Sequence, residues 1–470
     1  MKLKPEELNA LTAALSEIVG EKRVLTGEQI GADYGHDELP GGYAHMPDAV
    51  VEVKSAEEIS AVLKLCGSLD VPVTVRGAGT GLAGGSVPLN GGIVMSTRLM
   101  NSILAYDDEN MTVSVQPGVL LQDLKADAEA KGWRYTVDPG EKTATIGGNA
   151  ATNAGGPSAL RFGTTRDNVK AVTAVLPTGE IVRLGGATDK SSSGYNLLQL
   201  VLGSEGTLAV ISELTLRLRR KAKEDVSLIL PFMDTESCIK AAERILKEGL
   251  EPTTMEYIDT DIAEFSGQIT GNPVFPIVMD GERVGASLLL TFEGDSSDEL
   301  DMVMEAVADL AEEIECLDIL VVDTPALKRD VWAAHDAFHT SMETVKNTDE
   351  LNMSVPTAKL AEFLTCAKEL GAEMGMKVYT YAHAGDGGVH VHVCCEGDKA
   401  EFVEKIARYA DAAYENCRML GGSVSSEHGI GYAKKAYLEQ SAGAEACALM
   451  KRIKSAFDPK GILNPGKVVD

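Results

Sequence analysis

Residues 76–88 read RGAGTGLAGGSVP and follow directly on the apolar run VPVTVR at 71–76. Gly79, Gly81 and Gly84 satisfy a G-x-G-x-x-G spacing. That spacing signifies a nicotinamide-dinucleotide loop only when it opens a helix, with an acid about 20 residues further on to read the ribose. Gly84-Gly85-Ser86-Val87-Pro88-Leu89-Asn90-Gly91-Gly92 cannot start a helix, so the nicotinamide reading fails on context. A glycine-rich turn after a strand has another use, because its unhindered N–H groups form a concavity that wraps a pyrophosphate. A plain surface turn needs far fewer glycines. The stretch therefore predicts phosphate binding outside a Rossmann fold.

Working outward, the runs 48–53 and 71–76 flank a helical pattern at 56–66, which gives a β-α-β start. Further strands are predicted at 92–96, 111–115, 171–176, 181–184 and 208–218. The basic stretch 217–223, RLRRKAK, reads as a solvated strand end or linker and marks a boundary. Beyond it, strands at 226–232 and 287–293 alternate with helical patterns at 235–248 and 298–315, which suggests an α+β domain with helices on one face of a sheet. Helices are also predicted at 401–419 and 443–457. Two further loops share the small, polar texture of the first: 138–156, DPGEKTATIGGNAATNAGG, and 202–207, LGSEGT. The first offers amides together with Thr145, Asn149 and Asn153. In the second, Glu205 is placed to accept from a ribose or adenine, although a hairpin turn explains that segment equally well.

Composition limits the partners. A formal charge of −28 repels nucleic acid and anionic lipid, and obliges any site for a carboxylate to carry its own local positive charge. Eight cysteines contain no CxxC pair, which removes the ligand spacing of iron–sulfur and zinc-ribbon sites. No apolar run is long enough to cross a membrane, and MKLKPEELNALTAAL reads as a polar amphipathic helix without a signal-peptide core; the expected location is the cytoplasm.

Six of the eight histidines fall between 335 and 428. In VHVHV, His390 and His392 alternate and would share one face of a strand. His383 stands before a GDGG turn, and Glu427 and His428 are adjacent between small residues. Strand histidines on their own are more often structural than ligating.

Taken together, RGAGTGLAGGSVP, the 138–163 region with Arg161-Phe162-Gly163, and LGSEGTLAVISELTL resemble the FAD domain of the vanillyl-alcohol oxidase / p-cresol methylhydroxylase superfamily. HAGDGGVHVH (383–392), SSEHGIG (425–431) and FDPKGILNPGK (457–467) narrow the resemblance to the branch that holds FAD-linked D-lactate dehydrogenases, the D-subunit of glycolate oxidase and D-2-hydroxyglutarate dehydrogenases. It covers nearly the whole chain. The implied fold is α+β: a two-subdomain FAD-binding fold over residues 1–220, a substrate cap over 221–415, and a C-terminal segment, 416–470, that returns to the flavin.

The resemblance also implies roles. Arg76, Gly77, Ala78, Gly79, Thr80 and Gly81 would cradle the FAD pyrophosphate, and Pro139, Gly140, Thr145, Gly148, Asn153 and Gly163 would line the flavin. Glu205, Gly206 and Ile211 would lie at the adenosine end, and Asn464 near the isoalloxazine. Relatives that bind flavin covalently do so through a histidine in the first loop, where this chain has none, so non-covalent FAD is expected. His383, His390 and Glu427 would hold a divalent metal (zinc, iron or manganese), with His392 able to replace one of them. His428 is the expected base, beside Glu427. An arginine that relatives place three residues after a tryptophan is His335 here, with His339 one turn on; a lysine before Val355-Pro356 is also missing. The carboxylate-binding set is therefore expected among His335, His339, Arg329 and Lys359.

The expected reaction takes a D-2-hydroxy acid to a 2-oxo acid, D-lactate before glycolate or D-2-hydroxyglutarate. The electrons would go to a soluble partner, an electron-transfer flavoprotein or an iron–sulfur subunit. The rivals are a same-fold enzyme acting on another substrate and a flavin-binding assembly subunit without chemistry of its own.

Overall fold

A computed structural model describes residues 3–469; Met1 and Lys2, at the start of the expected N-terminal helix, lie outside them, and the helix itself runs Pro5–Val19. The chain divides into two units. One comprises the residues up to Gly155, Gly163–Lys221 and the stretch from Glu427 onward; the other comprises Gly156–Phe162 and Ala222–Ser426.

The first unit holds two sheets. Four short strands pair in the order Val24–Thr26, Ala49–Glu52, Ile93–Ser96, Val73–Arg76, the last three parallel. Helix Ala56–Ser68 joins Ala49–Glu52 to Val73–Arg76. It starts where the Ser55 side chain accepts from the Glu58 N–H, and it buries Ile59, Val62, Leu63 and Cys66. A five-stranded antiparallel sheet runs Ile103–Asp107, Thr112–Val115, Val210–Arg217, Val169–Val175, Ile181–Gly185. The C-terminal tail closes back onto this unit, with Val73 N–H donating to Ile462 O at 2.8 Å and Asn464 N–H to Val73 O at 2.7 Å. No helix starts between Gly77 and Gly92, in keeping with the reading of that loop.

The second unit is built on a seven-stranded antiparallel sheet. Its order is Leu320–Val322, Glu224–Phe232, Ala286–Gly294, Thr254–Asp259, Lys377–His383, Gly388–Cys394, Thr348–Ser354. Helices cover both faces, not one. Pro325–Glu343 and Thr260–Thr270 lie against the face that carries Ile258, Leu289 and Tyr381. On the other face, Thr235 of helix Thr235–Lys247 bonds the Tyr257 hydroxyl, and Gly371 of helix Leu360–Glu373 packs at Val378. The reason is in the strands: Thr254–Asp259 and Gly388–Cys394 are buried at every position, and a strand buried on both sides needs cover on both.

Candidate active site

The glycine loop follows strand Val73–Arg76 and is half-exposed apart from its exposed last residue, Gly81. Among the described residues, no hydrogen bond is donated by the N–H groups of Ala78, Gly79, Thr80 or Gly81. Four successive amides without a protein acceptor are what an anion cradle requires. The loop admits no side chain at two points: a Cβ on Gly77 would lie 2.2 Å from Thr145 Oγ1, and one on Gly79 (φ +86°) 1.9 Å from Arg76 Nη2. Arg76 is itself buried and pinned, its Nη1 donating to His36 O at 2.7 Å and Ser86 Oγ at 3.1 Å.

Thr145 caps helix Ile146–Thr152 by accepting from Gly148 N–H. That helix ends on Asn153 in the left-handed region, whose Oδ1 accepts from Thr164 Oγ1 and Arg166 N–H, both at 2.9 Å. Gly163 (φ +74°) turns tightly against Asp167. Pro139 is half-buried, Gly140 is exposed with nothing within 4 Å of where a Cβ would stand, and Ile211 is buried in the core. Glu205 takes a position that sequence could not reveal: it is buried, and its carboxylate accepts from Ile430 N–H at 2.8 Å and Gly431 N–H at 2.7 Å, which pins the loop after His428. Burial raises its carboxyl pKa despite those two amides. Asn464 donates to Gly85 O at 3.0 Å and Glu205 O at 2.7 Å and accepts from Lys467 Nζ at 2.6 Å. Lys467 is buried too, and burial brings its ammonium down to about 7 against the pull of Asp37 and Glu205.

In this unit Glu427 and His428 are half-buried, and a Cβ on Gly155 would stand 3.2 Å from Glu427 Oε1.

The second unit gathers the remaining histidines between helix Pro325–Glu343 and the sheet. His390 and His392 share one face, as their alternation predicts, and Tyr381 stacks on both, 4.5 Å and 5.7 Å between ring centroids. His383 meets His390 edge-on at 5.5 Å. Two glutamates that no local sequence pattern marks hold this group together. Glu256, directly opposite His383 in strand register, accepts from His383 Nδ1 at 2.9 Å and from His335 Nε2 at 3.2 Å. Burial alone would raise its carboxyl, but His383 and His335 outweigh that and hold it at about 2. Glu350 lies 2.7 Å from His390 Nδ1 and 2.9 Å from His339 Nδ1. Burial also lowers His335, but Asp336 and Glu256 overcome it and its pKa rises; at His392 burial wins, bringing the imidazole down to about 4. Arg329 and Lys359 are exposed and paired with Asp330 and Glu362.

The partner-free amides and side-chain-excluding glycines suit a bound dinucleotide. Residues 47–185 match the FAD binding domain family, and residues 221–468 match the family described as FAD linked oxidases, C-terminal domain. The chain belongs to the FAD-linked oxidases. As such it is an oxidoreductase with FAD as cofactor, and it joins an FAD-binding domain to an α+β cap. This FAD-linked oxidase is 44% identical over 452 residues to a D-lactate dehydrogenase of Anaerostipes hadrus, covering 96% of this chain and 95% of that one. It is 33% identical to the glycolate oxidase subunit GlcD of Bacillus subtilis, covering 93% and 91% of the two chains. The fold matches that of p-cresol methylhydroxylase with a TM-score of 0.83 at 16% identity, covering 100% of this chain and 98% of the other. No helix among the described residues is long and apolar enough to cross a membrane.

Proposed function

We propose that this FAD-linked oxidase is a cytoplasmic dehydrogenase that converts D-lactate to pyruvate, holds FAD without a covalent link, and passes electrons to a soluble partner such as an electron-transfer flavoprotein. The observation that carries the reading is the pair His383 and His390, each with Nδ1 on a buried carboxylate, in a chain whose glycine loop offers four partner-free amides. The D-lactate dehydrogenase named above supports the choice of substrate.

Bound FAD would accept the hydride leaving Cα, and a divalent ion would act as Lewis acid toward the substrate hydroxyl. Ala78–Gly81 would offer their amides to the pyrophosphate, and Thr145, Asn153 and Asn464 hold the loops that would surround it. By the resemblance, His383, His390 and Glu427 would be the residues that hold such an ion, and their imidazole nitrogens and carboxylate oxygen would be a mixed set suited to zinc, iron or manganese. His392, whose buried Nε2 has no hydrogen-bond partner among the described residues, would be the alternative third imidazole. His428 takes the hydroxyl proton as hydride leaves the carbon. A dicarboxylate such as D-2-hydroxyglutarate fits less well, because Arg329 and Lys359 are exposed and already paired with acids.

The test is anaerobic absorption of the metal-loaded protein with D-lactate, L-lactate, glycolate and D-2-hydroxyglutarate. D-lactate should bleach the oxidised-flavin band, and His428→Ala should slow the bleaching about 10²–10⁴-fold. A flavin band that none of the four bleaches would sink the substrate class and favour a non-catalytic flavin-binding subunit.

A further inference from the structure

Helix Pro325–Glu343 presents two histidines one turn apart, and each meets a glutamate of the sheet that in turn meets a strand histidine. The first line runs from His335 Nε2 to Glu256 (3.2 Å) to His383 Nδ1 (2.9 Å). The second runs from His339 Nδ1 to Glu350 (2.9 Å) to His390 Nδ1 (2.7 Å). We propose that Glu256 and Glu350 are positioning residues that lock His383 and His390 as Nδ1–H tautomers, so that each presents Nε2 to a divalent cation, and that His335 and His339 brace those carboxylates from behind. The inference rests on the metal reading above and deepens it.

The argument is one of proton accounting. An ionised carboxylate only accepts, and a neutral imidazole carries one N–H and one lone pair. A metal ligand must be the neutral imidazole; in that form the ring nitrogen facing the carboxylate is the protonated one, which leaves the lone pair on Nε2 in both histidines. Fixing tautomer and ring orientation in this way is how carboxylates behind ligating histidines support a metal. The geometry is selective. Glu350 lies directly across from His392 in strand register, yet it reaches diagonally to His390 at 2.7 Å and leaves His392 Nε2 at 3.9 Å. Both glutamates are nearly sealed from solvent, with side chains 1% and 4% exposed, so neither can swing away. The helix histidines add to each carboxylate: His335 Nε2 donates to Glu256 at 3.2 Å, and His339 Nδ1 lies 2.9 Å from Glu350 Oε2 as an ion-pair contact. This accounts for His335 and His339 without assigning them to substrate, since the nitrogen that each turns to a glutamate is already engaged.

Zinc affinity of the flavin-loaded protein, measured by competition with a chelator, tests the proposal. Wild type should take up one equivalent of zinc, and Glu256→Gln and Glu350→Gln should each bind it about 10–100-fold more weakly, with flavin content unchanged. His335→Gln should weaken zinc by a smaller factor. Its effect should be non-additive with Glu256→Gln and additive with Glu350→Gln, because it works through one line only. Should Glu256→Gln not fold, His335→Gln alone tests that line with the carboxylate left in place. Glutamine variants that hold zinc as tightly as wild type would overturn the inference while leaving the metal reading intact, and mark the glutamates as ties between helix and sheet. A wild type that takes up no zinc, iron or manganese would instead overturn the metal reading, and the inference with it.

Discussion

The two units handle charge by opposite means. Around Gly77–Gly81 the proposed recognising groups are main-chain amides of consecutive residues, and side chains would matter mostly by their absence. Around His383 and His390 the proposed recognising groups are side chains drawn from four strands and a helix, between Glu256 and His392, and the main chain only sets their register. A backbone cradle is local in sequence, so a single added methyl can close it. A side-chain cluster is distributed, so each member should be worth a graded amount.

The largest effect should come from closing the cradle. Gly79→Val places a side chain on Arg76 at a positive φ that L residues adopt only at a penalty of about 1–2 kcal/mol, and Arg76 is buried and doubly tied. Purified Gly79→Val should carry almost no FAD by absorbance ratio. Gly140→Ala, at a predicted flavin-lining glycine with open space around it, should keep its full complement. Equal retention in both variants would break the contrast between backbone and side-chain recognition.

Next in size is His428→Ala. Loss of a positioned general base should lower kcat about 10²–10⁴-fold, with FAD content and zinc affinity kept. If zinc affinity fell with kcat, His428 would belong with the ligands and not with the base.

The sequence is most legible where structure is local. The glycine loop, the β-α-β start and the shared face of His390 and His392 all follow from spacings of a few residues. The strands Thr254–Asp259 and Thr348–Ser354 escape such a reading, because TMEYID and TDELNMS carry acids where an apolar pattern would be expected. Those acids, Glu256 and Glu350, are there because histidines 79, 127 and 40 positions away meet them, and no window on the chain contains both partners. Glu205 shows the same limit: its carboxylate holds amides 225 and 226 residues downstream, a contact that no local pattern marks.

A smaller effect concerns Lys467, a buried cation of the FAD-binding unit. Its folded pKa is depressed from 10.5 to about 7, so between those values the unfolded chain binds a proton that the folded chain does not. Stability must therefore rise with pH across that window, by up to about 1.4 kcal/mol per pH unit from this group, and lie flat below it where both states are protonated. Urea denaturation of the flavin-free protein at pH values through the window should show the rise, and Lys467→Met should remove it. An unchanged slope in the variant would mean that the lysine keeps its proton when folded, held by Asp37 and Glu205.

The smallest expected effect falls on Arg329 and Lys359, the cations expected from sequence to clamp the substrate carboxylate. Their side chains are 72% and 48% exposed, and their partners, Asp330 and Glu362, lie one and three residues along the chain. Exposed pairs of that kind contribute about 0–1 kcal/mol, and a cation already paired in water gains little by turning to an anionic substrate. Arg329→Ala and Lys359→Ala should each leave KM for D-lactate within about twofold, a shift smaller than 1 kcal/mol, and should leave zinc affinity untouched. A tenfold rise in KM with kcat unchanged would instead show that a surface cation reaches the substrate. Positive charge for the carboxylate would then come from outside the buried histidine cluster, and the division between an amide cradle and a self-contained side-chain site would no longer hold.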